Sequence, residues 1–139
     1  MLVKQIAVFL ENRKGRIYEL TRVLANENID IIAMSIADTT DFGILRLITK
    51  DNMTALKVLR EAGFTATTND LIGISVDDKP GGLNKALKFL DDNDIEIEYL
   101  YSFARVGSKA IILIKVEDIL GALTIMKKSG IELLSNDII

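Results

Sequence analysis

The chain has 139 residues, 49% hydrophobic and 27% charged, with a net charge of −3, which describes a globular protein with a real core, folded as one ordinary domain or two small ones. Cysteine and histidine are both absent; this excludes disulfides, thiolate chemistry and sulfur-ligated metals, and removes the commonest general base and metal ligand, so neither a cofactor nor a metal is expected. The acidic balance lacks the basic face of a nucleic-acid binder, no apolar run approaches the roughly 20 residues that span a bilayer, and Met1–Gln5 does not open a signal peptide, so the expected location is cytoplasmic.

In chain order, Ile6-Ala7-Val8-Phe9-Leu10 reads as an apolar strand, and Glu11 to Arg16 as a charged loop containing Gly15. A helix follows, with Ile17, Leu20 and Leu24 on one face at helical spacing. Asn28-Ile29-Asp30-Ile31 leads into a second strand, where Met34 beside Ile32 and Ile36 places apolar residues on both faces. Such a strand is expected to be covered by a partner sheet or a second chain, and a homodimer is the expectation from it. The turn Thr39-Thr40-Asp41-Phe42-Gly43 precedes Ile44-Leu45-Arg46-Leu47-Ile48, a nearly continuous apolar run suited to a central strand. A second helix carries Ala55, Val58, Leu59 and Ala62, with Gly63 where a C-cap belongs. Thr65 to Asp70 is expected to close the first sheet and Leu71 to Val76 to open a second, with no linker.

The same order is then written again. Ile6 to Ile17 aligns with Ile72 to Leu83, setting Gly15 on Gly81; Leu24 meets Leu90, Ile29 meets Ile95 and Ile31 meets Ile97. Helices are expected on Leu83, Ala86, Leu87 and Leu90, and on Ile119, Ala122, Leu123 and Met126, the last ended by Gly130. Between them Ile95, Ile97, Tyr99, Tyr101 and Phe103 alternate with Glu96, Glu98, Leu100 and Ser102, which places the three aromatics in the core. Arg105 to Lys109 supplies a turn, and Ala110 to Ile114 a second central strand. Asn136-Asp137-Ile138-Ile139 repeats Asn69-Asp70-Leu71-Ile72 with one extra residue in the second copy. The expected fold is α+β: two tandem ferredoxin-like βαββαβ units, residues 1–70 and 71–139, each an antiparallel sheet with two helices, packed side by side.

The loop between first strand and first helix carries the functional signal. A glycine there lets the backbone approach a ligand closely, and the helix start offers unpaired N–H groups to a carboxylate. Asn12, Asp77 or Asp78 could accept from an ammonium group, while Arg13, Lys14 or Lys79 add positive charge. An ordinary strand–helix turn also carries a glycine and solvated charges; recurrence in both copies favours a ligand, although common descent of the copies also explains it.

Val76-Asp77-Asp78-Lys79-Pro80-Gly81-Gly82-Leu83, with Asn28-Ile29-Asp30-Ile31 and Asp94-Ile95-Glu96-Ile97, resembles the ACT domain. The resemblance implies a non-catalytic allosteric regulator that binds an amino acid or similar metabolite where two ACT units meet. It also implies which positions touch the effector. On the loops these are Asn12, Arg13, Lys14, Gly15, Arg16 and Ile17, and Asp78, Lys79, Pro80, Gly81, Gly82 and Leu83. On the second strands they are Met34, Ser35 and Ile36, and Leu100, Tyr101 and Ser102. Lys14 stands where the family usually has proline, which favours the second loop. The two copies leave no span for a catalytic domain, so the expectation is a free-standing sensor or the regulatory subunit of a separate biosynthetic enzyme. Leu10 to Gly15 is also similar to the small regulatory subunit of acetolactate synthase.

Other βαββαβ proteins fit poorly. RNA-recognition folds carry stacking aromatics on central strands, and Ile44 to Ile48 and Ala110 to Ile114 have none. Copper-chaperone domains need paired cysteines. A small ferredoxin-like enzyme using Asp77 and Asp78 as acid and base is the remaining alternative, but adjacent turn residues point apart and no partner is spaced to join them.

Overall fold

The computed structural model describes residues 2–38 and 41–134. Its elements are β1 (Leu2–Glu11), α1 (Arg16–Asn26), β2 (Ile31–Asp38), β3 (Phe42–Thr49), α2 (Asn52–Glu61), β4 (Thr65–Asp77), α3 (Gly82–Asp92), β5 (Ile97–Val106), β6 (Lys109–Val116), α4 (Ile119–Met126) and β7 (Glu132–Leu133). The architecture is α+β, two βαββαβ patterns on antiparallel strands. Two compact units divide the chain inside β4: the first is Lys4–Asn69, and the described part of the second is residues 70–134 with residues 2 and 3. Thr65–Asp77 is thus one strand where the sequence suggested a closing and an opening strand. Thr39 and Thr40 of the expected turn, and the Asn136 to Ile139 repeat, lie outside the described residues. Phe42 and Gly43 belong to β3 and not to that turn.

In the first unit the strand order is β2-β3-β1-β4. Ile6, Val8 and Leu10 of β1 and Leu45 and Leu47 of β3 alternate onto the face covered by α1 and α2. Leu20 and Leu24 of α1 and Ala55 and Leu59 of α2 complete that core. Both α1 leucines are fully buried, worth roughly 1.5–3 kcal/mol each relative to exposure. In the second unit the order is β5-β6-β4-β7, with Ile72, Ile74, Ile112 and Ile114 under Ala86, Leu90, Ala122 and Met126.

Three helices end in the same way. After α1, Asn28 turns left-handed (φ 56°) while Ile29 N donates to Leu24 O (2.9 Å) and Asn28 N to Ala25 O (3.0 Å). After α2, Phe64 N donates to Leu59 O and Gly63 N to Arg60 O; after α3, Ile95 N donates to Leu90 O and Asp94 N to Asp91 O. These paired bonds satisfy orphan carbonyls, and each brings two apolar side chains together: Ile29 with Leu24, Phe64 with Leu59, Ile95 with Leu90. Helix α4 departs from this. Lys127, Lys128 and Ser129 separate it from Gly130, so the expected glycine cap is displaced, and the Ser129 hydroxyl donates to Met126 O (2.6 Å) instead.

The largest correction concerns β5. Its pairing with β6 shifts between Ile97 and Tyr99 and again between Ser102 and Ala104. Each irregularity exchanges the faces of the residues that follow. Ile97 and Leu100 therefore pack on the helix-covered core, opposite Val116 and Ile114. Tyr99 and Tyr101 lie opposite Lys115 and Leu113 on the other face, and Tyr99, Tyr101 and Phe103 are half-buried outside the core cluster.

Candidate functional site at the glycine turns

Two kinds of helix start alternate along the chain. Asp51 caps α2 by accepting from Thr54 N (3.1 Å), and Asp118 caps α4 by accepting from Gly121 N (3.1 Å). Helices α1 and α3 start at Gly15 (φ 91°, ψ −7°) and Gly81 (φ 87°, ψ −10°), and neither has a side-chain cap. That left-handed conformation is open to glycine and costs other residues roughly 1–2 kcal/mol. Where a Ser, Thr, Asn or Asp would normally fill the first turn, these two turns leave backbone donors for another acceptor.

Each turn is held by matching bonds. Asn12 N donates to Asp41 O (3.1 Å) and Arg13 N to Glu11 O (2.8 Å); Asp78 N donates to Ser108 O (2.9 Å) and Lys79 N to Asp77 O (2.9 Å). Side chains at the same position reach the neighbouring second strand: Asn12 Nδ2 donates to Asp38 Oδ1 (2.9 Å), and Arg105 Nε pairs with Asp78 Oδ2 (3.2 Å).

Both turns border a cavity. In the first unit, about 330 Å³ is lined by Asn12, Arg13, Lys14, Arg16 and Ile17 together with Ile36 of β2. Gly15, Met34 and Ser35 do not join that lining. In the second unit, about 560 Å³ is lined by Lys79, Pro80, Gly81 and Gly82, while Asp78, Leu83, Leu100, Tyr101 and Ser102 stand apart from it. Its other walls come from Lys85, Ala86 and Phe89 of α3, Lys109 of β6, and the segment Ser129 to Glu132. None of these walls was expected from the sequence to touch a ligand; Ala86 and Gly130 were read there as a helix face and a helix end. Lys85 and Phe89 were within reach of inspection, because they follow the glycine turn at helical spacing on a common face.

The second cavity is lined by three lysines, Lys79, Lys85 and Lys109, and two acids, Asp77 and Glu132. Lys109 Nζ bonds Asp77 Oδ1 at 2.8 Å, and Lys79 Nζ lies 4.0 Å from Asp77 Oδ2. The hydrogen bond and charge of Lys109 hold the Asp77 carboxyl below the ordinary aspartate range, and Asp77 in turn raises Lys109 above the ordinary lysine range. Lys85 also faces this cavity. Among the described residues there is no group of three or more His, Cys, Asp or Glu able to hold a metal, and no helix is long and apolar enough to cross a membrane.

The family model of the ACT domain pair matches residues 1–137. Among solved structures, protein BT0572 from Bacteroides thetaiotaomicron is 41% identical, with 96% of this chain and 92% of that chain covered and a TM-score of 0.90. The ligand-free regulatory subunit of aspartate kinase from Thermus thermophilus is 16% identical over 91% of each chain, with a TM-score of 0.64. The corresponding subunit from Thermus flavus is 16% identical over 88% of each chain, at 0.62. The two Thermus likenesses are likenesses of fold. No curated protein sequence matches the chain significantly.

Proposed function

The chain belongs to the ACT domain pair family, and on that premise we propose that it is a non-catalytic regulator that binds a free amino acid at its glycine turns. Its two ACT units are residues 1–70 and 71–139. The observation that carries this reading is the contrast between helix starts: Asp51 and Asp118 cap their helices, whereas the turns at Gly15 and Gly81 leave theirs without a side-chain cap beside a cavity. A carboxylate suits the free N–H groups of such a start, and Asp77 in the wall of the second cavity suits an ammonium.

A ligand that binds only the folded state stabilises it by mass action, by about 2.7 kcal/mol at a hundred times its dissociation constant. Thermal denaturation in the presence of each common amino acid at millimolar concentration is therefore the test. At least one is expected to raise the melting temperature, and none doing so refutes the reading. Gly81→Val is expected to abolish the effect; its Cβ meets no atom within 4 Å, but the left-handed φ of 87° strains a β-branched side chain, so an unchanged circular dichroism spectrum is the control that the chain stays folded.

A second reading makes the chain the regulatory subunit of a separate amino-acid biosynthetic enzyme. It is supported by the fold shared with the aspartate kinase regulatory subunits. We further propose a homodimer, supported by the exposed Met34 and Ile36 on β2, which pairs only with β3 among the described residues. A strictly monomeric mass in light scattering at micromolar concentration contradicts it.

A further inference from the structure

The duplicated sequence supplies its own control for the larger cavity. In the first unit, Arg16 opens α1, and its side chain is only 14% exposed. Its guanidinium lies over the Phe64 ring, 4.3 Å from the centroid, and Nη1 bonds Glu19 Oε2 at 2.6 Å. The repeat aligns Arg16 with Gly82, Glu19 with Lys85, and, past the single extra residue, Phe64 with Ile131. Gly63 and Gly130, which precede the last pair, share a positive φ (92° and 81°), so the two segments correspond in backbone as well as in order. All three counterparts, Gly82, Lys85 and Ile131, line the second unit's cavity. That cavity therefore corresponds to the space that Arg16 fills in the first unit.

The chemistry is inverted as well as vacated. The first unit places a cation between an aromatic ring and a carboxylate. The second has no side chain at Gly82 and presents an ammonium, Lys85, where the carboxylate stood. Glu19 supplies an acidic residue in the first turn of α1, and the first turn of α3 has none. With Lys79, Lys85 and Lys109 against Asp77 and Glu132, the lining carries an excess of positive charge. Asp77 is already engaged by Lys109, which leaves Lys85 as the cation best placed to meet a solute.

We propose that each chain takes up one dicarboxylic amino acid, in the second unit only, with a carboxylate paired to Lys85 in the chamber whose first-unit counterpart is filled by Arg16. This inference rests on the amino-acid-binding reading above and adds to it a ligand class, a stoichiometry and an anchoring residue.

The experiment is calorimetric titration of the full chain with L-glutamate, L-aspartate, L-leucine and L-lysine in separate runs, repeated on Lys85→Gln and Lys85→Glu. Lys85 is exposed, so both variants are expected to keep the wild-type circular dichroism. The expected result is one glutamate or aspartate per chain, with leucine and lysine at least tenfold weaker. Lys85→Gln is expected to weaken binding about tenfold, the loss of one charge-assisted hydrogen bond, and Lys85→Glu more. Two ligands per chain overturn the inference. So does leucine or lysine binding as tightly as the dicarboxylates, or unchanged affinity in both variants. Each of those results leaves amino-acid binding itself standing. Failure of every common amino acid in the melting experiment removes both.

Discussion

Gly82→Ala is the most incisive single perturbation of the second turn. A Cβ at residue 82 overlaps the carbonyl oxygen of Asp77 and lies 3.0 Å from its carbonyl carbon. Both are backbone atoms, so relief requires the turn itself to move. The same oxygen accepts from Lys79 N at 2.9 Å, and Gly82 N donates to Lys79 O at 3.0 Å. Displacing Asp77 strains the first of these bonds, worth about 1 kcal/mol, and overpacking adds about 1–3 kcal/mol; a loss of about 2–4 kcal/mol is expected. Gly81→Ala is the comparator. Its Cβ meets nothing within 4 Å, so it incurs only the left-handed backbone cost of roughly 1–2 kcal/mol. Urea denaturation followed by circular dichroism, extrapolated linearly to water, ranks the two variants. Should Gly82→Ala prove no more destabilising than Gly81→Ala, the close approach at Asp77 does not govern this turn.

Three further expectations follow from the geometry. Arg16→Ala removes both the contact with Phe64 and the bond to Glu19 and is expected to cost about 1–2 kcal/mol; a double-mutant cycle with Glu19→Gln that shows no coupling contradicts the pairing. Asp118→Ala uncaps α4 and is expected to cost about 1 kcal/mol in urea melts, with an unchanged midpoint counting against the cap. The Asp77–Lys109 pair gives a pH signature. Because the aspartate is depressed and the lysine raised, its contribution is complete between the ordinary values of about 3.9 and 10.4. It is lost as pH falls through the folded value of Asp77 or rises through that of Lys109. Urea midpoints of wild type and Lys109→Met are thus expected to differ at neutral pH and to converge in acid; a gap that does not narrow between pH 5 and pH 3 refutes the assignment.

The doubled strand and helix order was legible because apolar spacing reports directly which face of an element is buried. Leu20, Leu24, Ala86 and Leu90 all entered the cores that their periodicity indicated. The aromatics of β5 did not. Periodicity assumes an unbroken ladder, and the irregularity between Ile97 and Tyr99 in its pairing with β6 moved Leu100 inward and Tyr99 and Tyr101 to the opposite face. The glycine turns were legible at the site, since their backbone geometry depends on one residue type. The chamber behind Gly81 was not, because its walls join α3 to the Ser129–Glu132 segment, far apart in the chain.

Arg16 is tethered to the chain it occupies, so its hold on the first unit does not vary with what is dissolved in the surrounding water. No such tenant is built into the chamber beside Gly82. Two halves written on one pattern thus differ at this aligned position: a long side chain packed on Phe64 in one, and none in the other.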